Sequence, residues 1–187
     1  MFSELKATQM AVFFLGQASE KRMSHLKLMK LLYLADRENI HIYGYPISYD
    51  RPVAMPHGPV LSRILDLMNG SEKYHPNGWE SWISAKENHE IALRKPFNLD
   101  ELTKFSPAEL EVMQNIWQKF GAMTQWQIRD WTHDNCREWR DTNGSSYPIK
   151  YEDIALAVGY DSETAKAIDA DIQEDFALDR VLKTAKA

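Results

Sequence analysis

The feature that most constrains the fold is one long helix, predicted over residues 24–43 and ended by Gly44. Apolar side chains cover nearly its whole circumference, which is typical of a helix at the centre of a hydrophobic core. One narrow side is charged, and there we expect a solvated helix face. That side holds Lys27, Lys30, Arg37, Glu38 and His41. The rest of the chain is therefore expected to pack around this helix.

Two polar residues of this helix, Asp36 and Asn39, fall inside its apolar arc. A buried carboxylate needs a partner, because burying it unpaired is costly or forces its protonation. We hypothesise that Asp36 holds the turn at 57–59, through the backbone N–H groups or through the ring of His57. In the alternative, Asp36 is exposed at a groove and is available to a ligand.

The stretch "MPHGPVLSRIL" (55–65) contains a turn and then becomes apolar at helical spacing. Proline suits the first position of a helix because its missing N–H would be unpaired there, so we predict a third helix from Pro59 to about Met68. Gly58 is expected at a positive φ, or where a Cβ would block a close approach. His57 serves neither purpose and is therefore a candidate functional residue.

Amphipathic spacing and capping signals predict further helices, and turn residues separate them from extended pieces. The helices cover residues 4–18, 107–120 after the Ser106 cap, the stretch after Thr124, residues 151–159, and the chain end after Asp161. Residues 44–56 are predicted as a turn with short extended pieces, 70–80 as a polar loop, and 82–95 as a β-hairpin that turns near Glu87 and Asn88.

These elements predict a mainly α fold of the α+β class. We expect a compact domain of about six helices with a small β-hairpin or short antiparallel sheet. Residues 1–160 would form the core, and residues 161–187 would form an amphipathic helix appended to it.

Composition narrows the function classes. The net charge of −5 over 187 residues argues against a nucleic-acid binder with a broad basic face. The apolar runs are shorter than the ~20 residues that a membrane span needs. Cys136 is the single cysteine, which excludes an internal disulfide, and the N-terminus does not resemble a signal peptide. We therefore expect a cytoplasmic protein.

A search for chemistry finds no complete catalytic or metal-binding set. His133 and Cys136 have a spacing that could supply half of a zinc site, but no second pair follows the same pattern. The chain contains no G-x-S-x-G elbow and no glycine-rich phosphate loop. The residues therefore predict no enzyme, no metal and no cofactor.

Three stretches together resemble the SocA-like antitoxin family, also called the Panacea domain. The first is "KLMKLLYLADRENIHIYGYPISYDRPVAMPHGPVLSRIL" (27–65), with Y-x-A-D, G-x-P-I and G-P-V in the order of the family's pattern. The second is "FSPAELEVMQNIWQKFGAMTQWQIRDWTH" (105–133), followed by Trp139, and the third is "PIKYEDI" (148–154). The resemblance covers residues 22–160 and leaves the terminal helix outside.

The resemblance implies an antitoxin that binds a cognate toxin protein without turnover, with a AAA+ protease as a further partner if the chain acts as a proteolytic adaptor. The residues expected to bind the partner or to mark the fold are Tyr33, Asp36, Tyr45, Tyr49, His57, Gly58, Pro59, Trp131, His133 and Trp139. The expected contact elements are the loops at 44–56 and 71–80 and the final helix.

Two other functions stay open at this point. One is a small-molecule-binding or hydrolytic enzyme that uses Asp36, His57 or His133. The other is an interaction domain whose partner is not a toxin, such as a phage or host regulator.

Overall fold

A computed structural model describes residues 1–71 and 75–184. The helices in those ranges are α1 (Glu4–Gln17), α2 (His25–Tyr43), α3 (Ser62–Asn69), α4 (Trp79–Trp82), α5 (Pro107–Phe120), α6 (Gln125–Asn135), α7 (Tyr151–Ala157) and α8 (Ser162–Thr184). The strands are β1 (Arg22–Ser24), β2 (Pro52–Met55), β3 (Gly58–Leu61), β4 (Glu90–Ala92) and β5 (Tyr147–Pro148), and a 3₁₀ helix covers Leu99–Glu101. The predicted fold class is confirmed, with eight α-helices in the described ranges where about six were expected.

Helix α2 lies at the centre of the fold, as its apolar circumference predicts. Leu31 and Leu32 are completely buried, and α1, α5, α6 and β3 pack around the helix. Gly44 ends it in the left-handed region, with φ of 77°, which glycine adopts without a steric penalty. The last turn emerges from the core, since Ile42 and Tyr43 of the predicted apolar arc are about half exposed.

Three helices begin where local capping signals predict. Ser106 and Glu109 form a reciprocal capping box at the start of α5. Thr124 and Gln127 form the same arrangement at α6. The carboxylate of Asp161 accepts hydrogen bonds from two backbone N–H groups in the first turn of α8. In each case the cap and the N–H groups that it satisfies lie within three residues, so the sequence itself specifies the helix start.

The predicted start of the third helix at Pro59 is wrong. Residues 58–61 form strand β3, in which Pro59 lies opposite Ala54 of β2, and the helix begins at Ser62. Strand β3 is at the edge of the sheet, where a proline is tolerated because its missing N–H is not needed for the next strand. The helix is capped from elsewhere in the chain: Asp50 accepts hydrogen bonds from the backbone N–H groups of residues 63 and 64 at 3.0 and 2.9 Å.

The strands form two small antiparallel sheets. One has the order β3-β2-β5 and the other pairs β1 with β4. The predicted hairpin over 82–95 is confirmed by the pairs Ile83–Leu93 and Glu87–Glu90. Its turn residues Asn88 and His89 both have positive φ, which matches the right-handed twist of a two-residue hairpin. Strands β1 and β5 were not predicted.

Helix α8 begins as part of the core and continues beyond it. Ala165, Ile168 and Ile172 are buried in the same hydrophobic cluster as Ile40 and Ala54. Its first half therefore completes the packing against α7 and the end of α2. None of the helices in the described residues is long and apolar enough to cross a membrane.

Candidate functional site

A row of polar residues on α2 faces inward, against the sequence-based expectation of a solvated side. Lys30 is fully buried, and its ammonium donates a hydrogen bond to the carbonyl of Pro59 at 2.7 Å. Burial lowers the pKa of Lys30 to about 7, because a charged amine loses its hydration there. The prediction of solvent exposure is therefore wrong for Lys30, which instead ties α2 to β3.

Gly58 lies directly against this lysine. Its φ is +92°, which confirms the predicted positive value. A Cβ at this position would lie 2.8 Å from Nζ of Lys30 and 2.8 Å from Oγ1 of Thr132. Both glycine properties that the sequence suggested, the turn conformation and the close approach, therefore apply at this one residue.

A buried glutamate joins the next two positions of the α2 row. Glu138 Oε1 accepts hydrogen bonds from the hydroxyl of Tyr33 and from Nε of Arg37, both at 2.7 Å. The Glu138 side chain has no exposed surface and that of Arg37 is 13% exposed, so this is a nearly buried, hydrogen-bonded ion pair. Sequence analysis missed Glu138, because its partners lie about 100 residues away and no local signal marks it.

His133 and Trp139 attach the end of α6 to the β2–β3 hairpin. Their rings stack in parallel at a centroid distance of 4.0 Å, and the indole N–H of Trp139 donates to the carbonyl of Met55 at 2.9 Å. Burial, together with the positive charges of Lys30 and Arg129, lowers the pKa of His133. A neutral ring is therefore favoured at this position.

Asp36 does not hold the turn at 57–59, so that hypothesis is wrong. Its carboxylate accepts hydrogen bonds from the backbone N–H of Ser48, at 2.8 Å, and from the Ser48 hydroxyl. Burial raises the pKa of Asp36 to about 7 and that of Asp50 to about 6. These two acids fix the segment after α2, because Asp36 anchors Ser48 while Asp50 caps α3 and its carbonyl accepts from the hydroxyl of Tyr151.

The remaining predicted residues occupy separate places. His57 is exposed and lines a depression with His25 and Trp126. Trp131 packs edge-to-face on Phe120 at 4.7 Å, at the margin of the core. These positions leave His57 and Trp131 outside the buried contacts of Lys30 and Glu138.

The two remaining predicted tyrosines flank the segment that follows α2. Tyr45 is half-buried, and its carbonyl accepts a hydrogen bond from Asn39 at 2.7 Å. Tyr49 has φ of +52°, an uncommon conformation for an aromatic residue, and its ring packs edge-to-face on Phe176 of α8.

A groove of about 480 Å³ separates the second half of α8 from strands β2 and β5. We call it the α8 groove. The residues that line it include Tyr49, Arg51, Lys150, Tyr151, Phe176, Asp179 and Arg180.

Asp36, His57 and His133, the candidates for an enzymatic role, each have different neighbours. Burial raises the pKa of the Cys136 thiol to about 12, which keeps it protonated and therefore a poor nucleophile. Within residues 1–71 and 75–184, no group of three or more His, Cys, Asp or Glu side chains is arranged to hold a metal ion.

Comparison with known proteins gave one family. A family model described as "Antitoxin SocA-like, Panacea domain" matches residues 28–140. No curated protein and no solved structure matched the chain. The matched range contains the buried contacts of Lys30, Glu138 and Trp139 described above.

Proposed function

Because the chain belongs to the SocA-like antitoxin family, which is defined by the Panacea domain, we propose that it is the antitoxin of a toxin–antitoxin pair. It neutralises a cognate toxin by binding that protein directly in the cytoplasm, and it needs neither a cofactor nor a membrane for this. The observation that carries the proposal is the family match over residues 28–140, which includes all ten residues that the sequence singled out.

The contacts of the matched residues support a binding role. Tyr33, Pro59 and Trp139 use their polar atoms in hydrogen bonds that hold the chain together. A partner would therefore meet the surface elements that this scaffold positions, which are residues 44–56 and α8. The third expected contact element, the loop at 71–80, includes residues 72–74, which lie outside the described residues.

The far end of α8 supplies apolar surface for a protein partner. Leu178, Val181 and Leu182 are 53%, 66% and 50% exposed. Their i, i+3, i+4 spacing places them on one face of the helix. Such a face is a common anchor in protein recognition. We propose that residues 1–160 form the scaffold, that the first half of α8 completes it, and that the second half contacts the toxin.

Co-expression with the neighbouring reading frame tests the proposal. We expect a small adjacent gene whose product stops growth when expressed alone, and we expect growth to recover when this chain is expressed with it. A control is the same chain with Gly58→Ala and Lys30→Glu, which removes the contact of Lys30 with Gly58 and Pro59. If no neighbouring product is toxic, or if toxicity persists with the wild-type chain present, the proposal is wrong.

The same cells distinguish masking of the toxin from delivery to a AAA+ protease. If the chain masks the toxin, the toxin accumulates in the rescued cells as a stable complex. If the chain is a proteolytic adaptor, the half-life of the toxin shortens and toxicity returns when the protease is deleted. Either result keeps the direct binding that the proposal requires.

A further inference from the structure

We propose that the α8 groove is the docking site for an acidic segment of the toxin. In this segment one apolar residue lies between Asp or Glu residues and inserts its side chain into the groove. This inference rests on the proposed function, because it identifies where and by what chemistry the partner binds.

The floor of the α8 groove is aromatic and already ordered. Phe176 contacts Tyr49 and Tyr151, with ring centroids 6.4 and 6.3 Å away. Tyr151 is buried, whereas Tyr49 and Phe176 are half-buried, so both present part of their rings to the groove. Aromatic side chains in such pockets are frequent anchors in protein interfaces, because they bury a large area at a small cost in conformational entropy.

Tyr49 is held in a conformation that it would not adopt alone. Its φ of +52° lies in the left-handed region, which residues with a Cβ adopt only rarely. The hydrogen bonds of Asp36 to Ser48 and of Asp50 to α3 fix the backbone on both sides of it. Burial and the carboxylate of Asp175 raise the pKa of Tyr49 to about 12. Strain maintained in this way at an open surface is a feature of ligand-binding segments.

The α8 groove is lined by more positive than negative side chains, since its lining also includes Arg63 and one carboxylate, that of Asp179. Arg51, Lys150 and Arg180 all line it and are exposed. Within the described part of the chain, no carboxylate lies within 4.0 Å of any of these three charges. In a chain of net charge −5, this excess of cations creates a local field that attracts acidic groups.

An acidic polypeptide segment fits this combination better than a nucleic acid does. A phosphate backbone extending beyond the groove would meet the acidic outer surface of α8, which carries Asp171 and Glu174, both exposed. A short segment of Asp or Glu residues around one apolar residue would satisfy the rim and the floor together. The volume of about 480 Å³ lies within the range of roughly 300–1,000 Å³ that is usual for ligand pockets.

The test compares two charge-reversal variants with the same change in net charge. The groove variant carries Arg51→Glu and Arg180→Glu. The control carries Lys104→Glu and Lys166→Glu, two exposed positions that do not line the groove. Each full-length protein is titrated with an inactive form of the neighbouring toxin, and growth rescue and thermal melting are measured in parallel.

We expect the groove variant to bind the toxin at least about 100-fold more weakly and to lose rescue, because like charges across an interface cost several kcal/mol. The control should bind within about threefold of the wild type, and both variants should melt like the wild type.

Four results would overturn the inference. If the groove variant binds and rescues like the wild type, the toxin docks elsewhere while the antitoxin function stands. If both variants weaken equally, the effect is one of net charge and not of the groove. If a single-stranded oligonucleotide binds the wild type but does not bind the groove variant, the occupant is a nucleic acid. Failure of the wild type itself to bind the toxin refutes the proposed function, and the inference with it.

Discussion

Replacing Gly58 with alanine tests the buried contact between α2 and the β2–β3 hairpin. The substitution adds one methyl group where φ is +92° and where Nζ of Lys30 and Oγ1 of Thr132 are each 2.8 Å from the new Cβ. Both of those residues are completely buried. Lys30 cannot move away from the methyl group without disturbing its hydrogen bond to the Pro59 carbonyl.

The magnitude follows from two contributions. The left-handed backbone conformation costs an alanine about 1–2 kcal/mol. Loss of the hydrogen bond from the Lys30 amine costs about 1–3 kcal/mol more, because a buried donor is left without its acceptor. We therefore expect the free energy of unfolding to fall by about 2–5 kcal/mol in total.

Gly144→Ala is the matched control for Gly58→Ala. Gly144 has a similar φ of +83°, but a Cβ there would meet no atom within 4 Å. This variant should lose only the conformational contribution of about 1–2 kcal/mol. Urea unfolding followed by tryptophan fluorescence measures both values. If the two variants lose the same free energy within about 0.5 kcal/mol, the close approach to Lys30 has no energetic weight and the reasoning is refuted.

Three further predictions concern the buried polar contacts of Lys30, Asp36 and Trp139. The stability of the wild type should rise relative to Lys30→Met between about pH 7 and pH 10. Burial holds the pKa of Lys30 at about 7, below the usual lysine value of 10.5, so folding releases a proton in this range and becomes more favourable as the pH rises. A pH-independent difference in urea midpoints would contradict this. Relative to Asp36→Asn, the wild type should lose stability from pH 4 to pH 7. Burial raises the pKa of Asp36 to about 7, so folding takes up a proton in this range and becomes less favourable as the pH rises. A constant difference between the thermal melts of the two proteins across this range would refute the prediction. Trp139→Phe should lower the free energy of unfolding by about 1–3 kcal/mol, because the carbonyl of Met55 loses its donor. The control Trp126→Phe, at a residue that is 51% exposed, should change it by at most about 0.5 kcal/mol. Equal losses in the two variants would show that the indole hydrogen bond is unimportant.

The sequence predicts those elements whose signals are local. The helix starts at Ser106 and Thr124 depend on groups three residues apart, and the end of α2 depends on one glycine. The start of α3 is different, because its cap is Asp50, which precedes the β2–β3 hairpin in the sequence and lies far from α3 along the chain. Periodicity cannot show a cap that the tertiary structure supplies. The sequence therefore predicts "GPV" as the start of a helix, whereas the structure has a strand there.

The burial of Lys30 could not be predicted for the same reason. On a helical projection, Lys30 belongs with other charged residues, and only the approach of β3 and α6 to α2 encloses it. The family resemblance predicts Tyr33 and Trp139 as residues that bind the partner or mark the fold, and in the structure each donates a hydrogen bond to a distant part of the chain. It gave no indication of their partners, because Glu138 and the carbonyl of Met55 are brought to them by contacts between distant parts of the chain.

The most direct test of an antitoxin role is a calorimetric titration of the purified chain into the active product of the neighbouring reading frame, with the toxin's activity measured at each addition. The account predicts saturable binding at a fixed stoichiometry, and it predicts that toxin activity falls in proportion to the complex formed. Absence of binding heat and of a joint elution peak, with toxin activity unchanged at an excess of this chain, would contradict it.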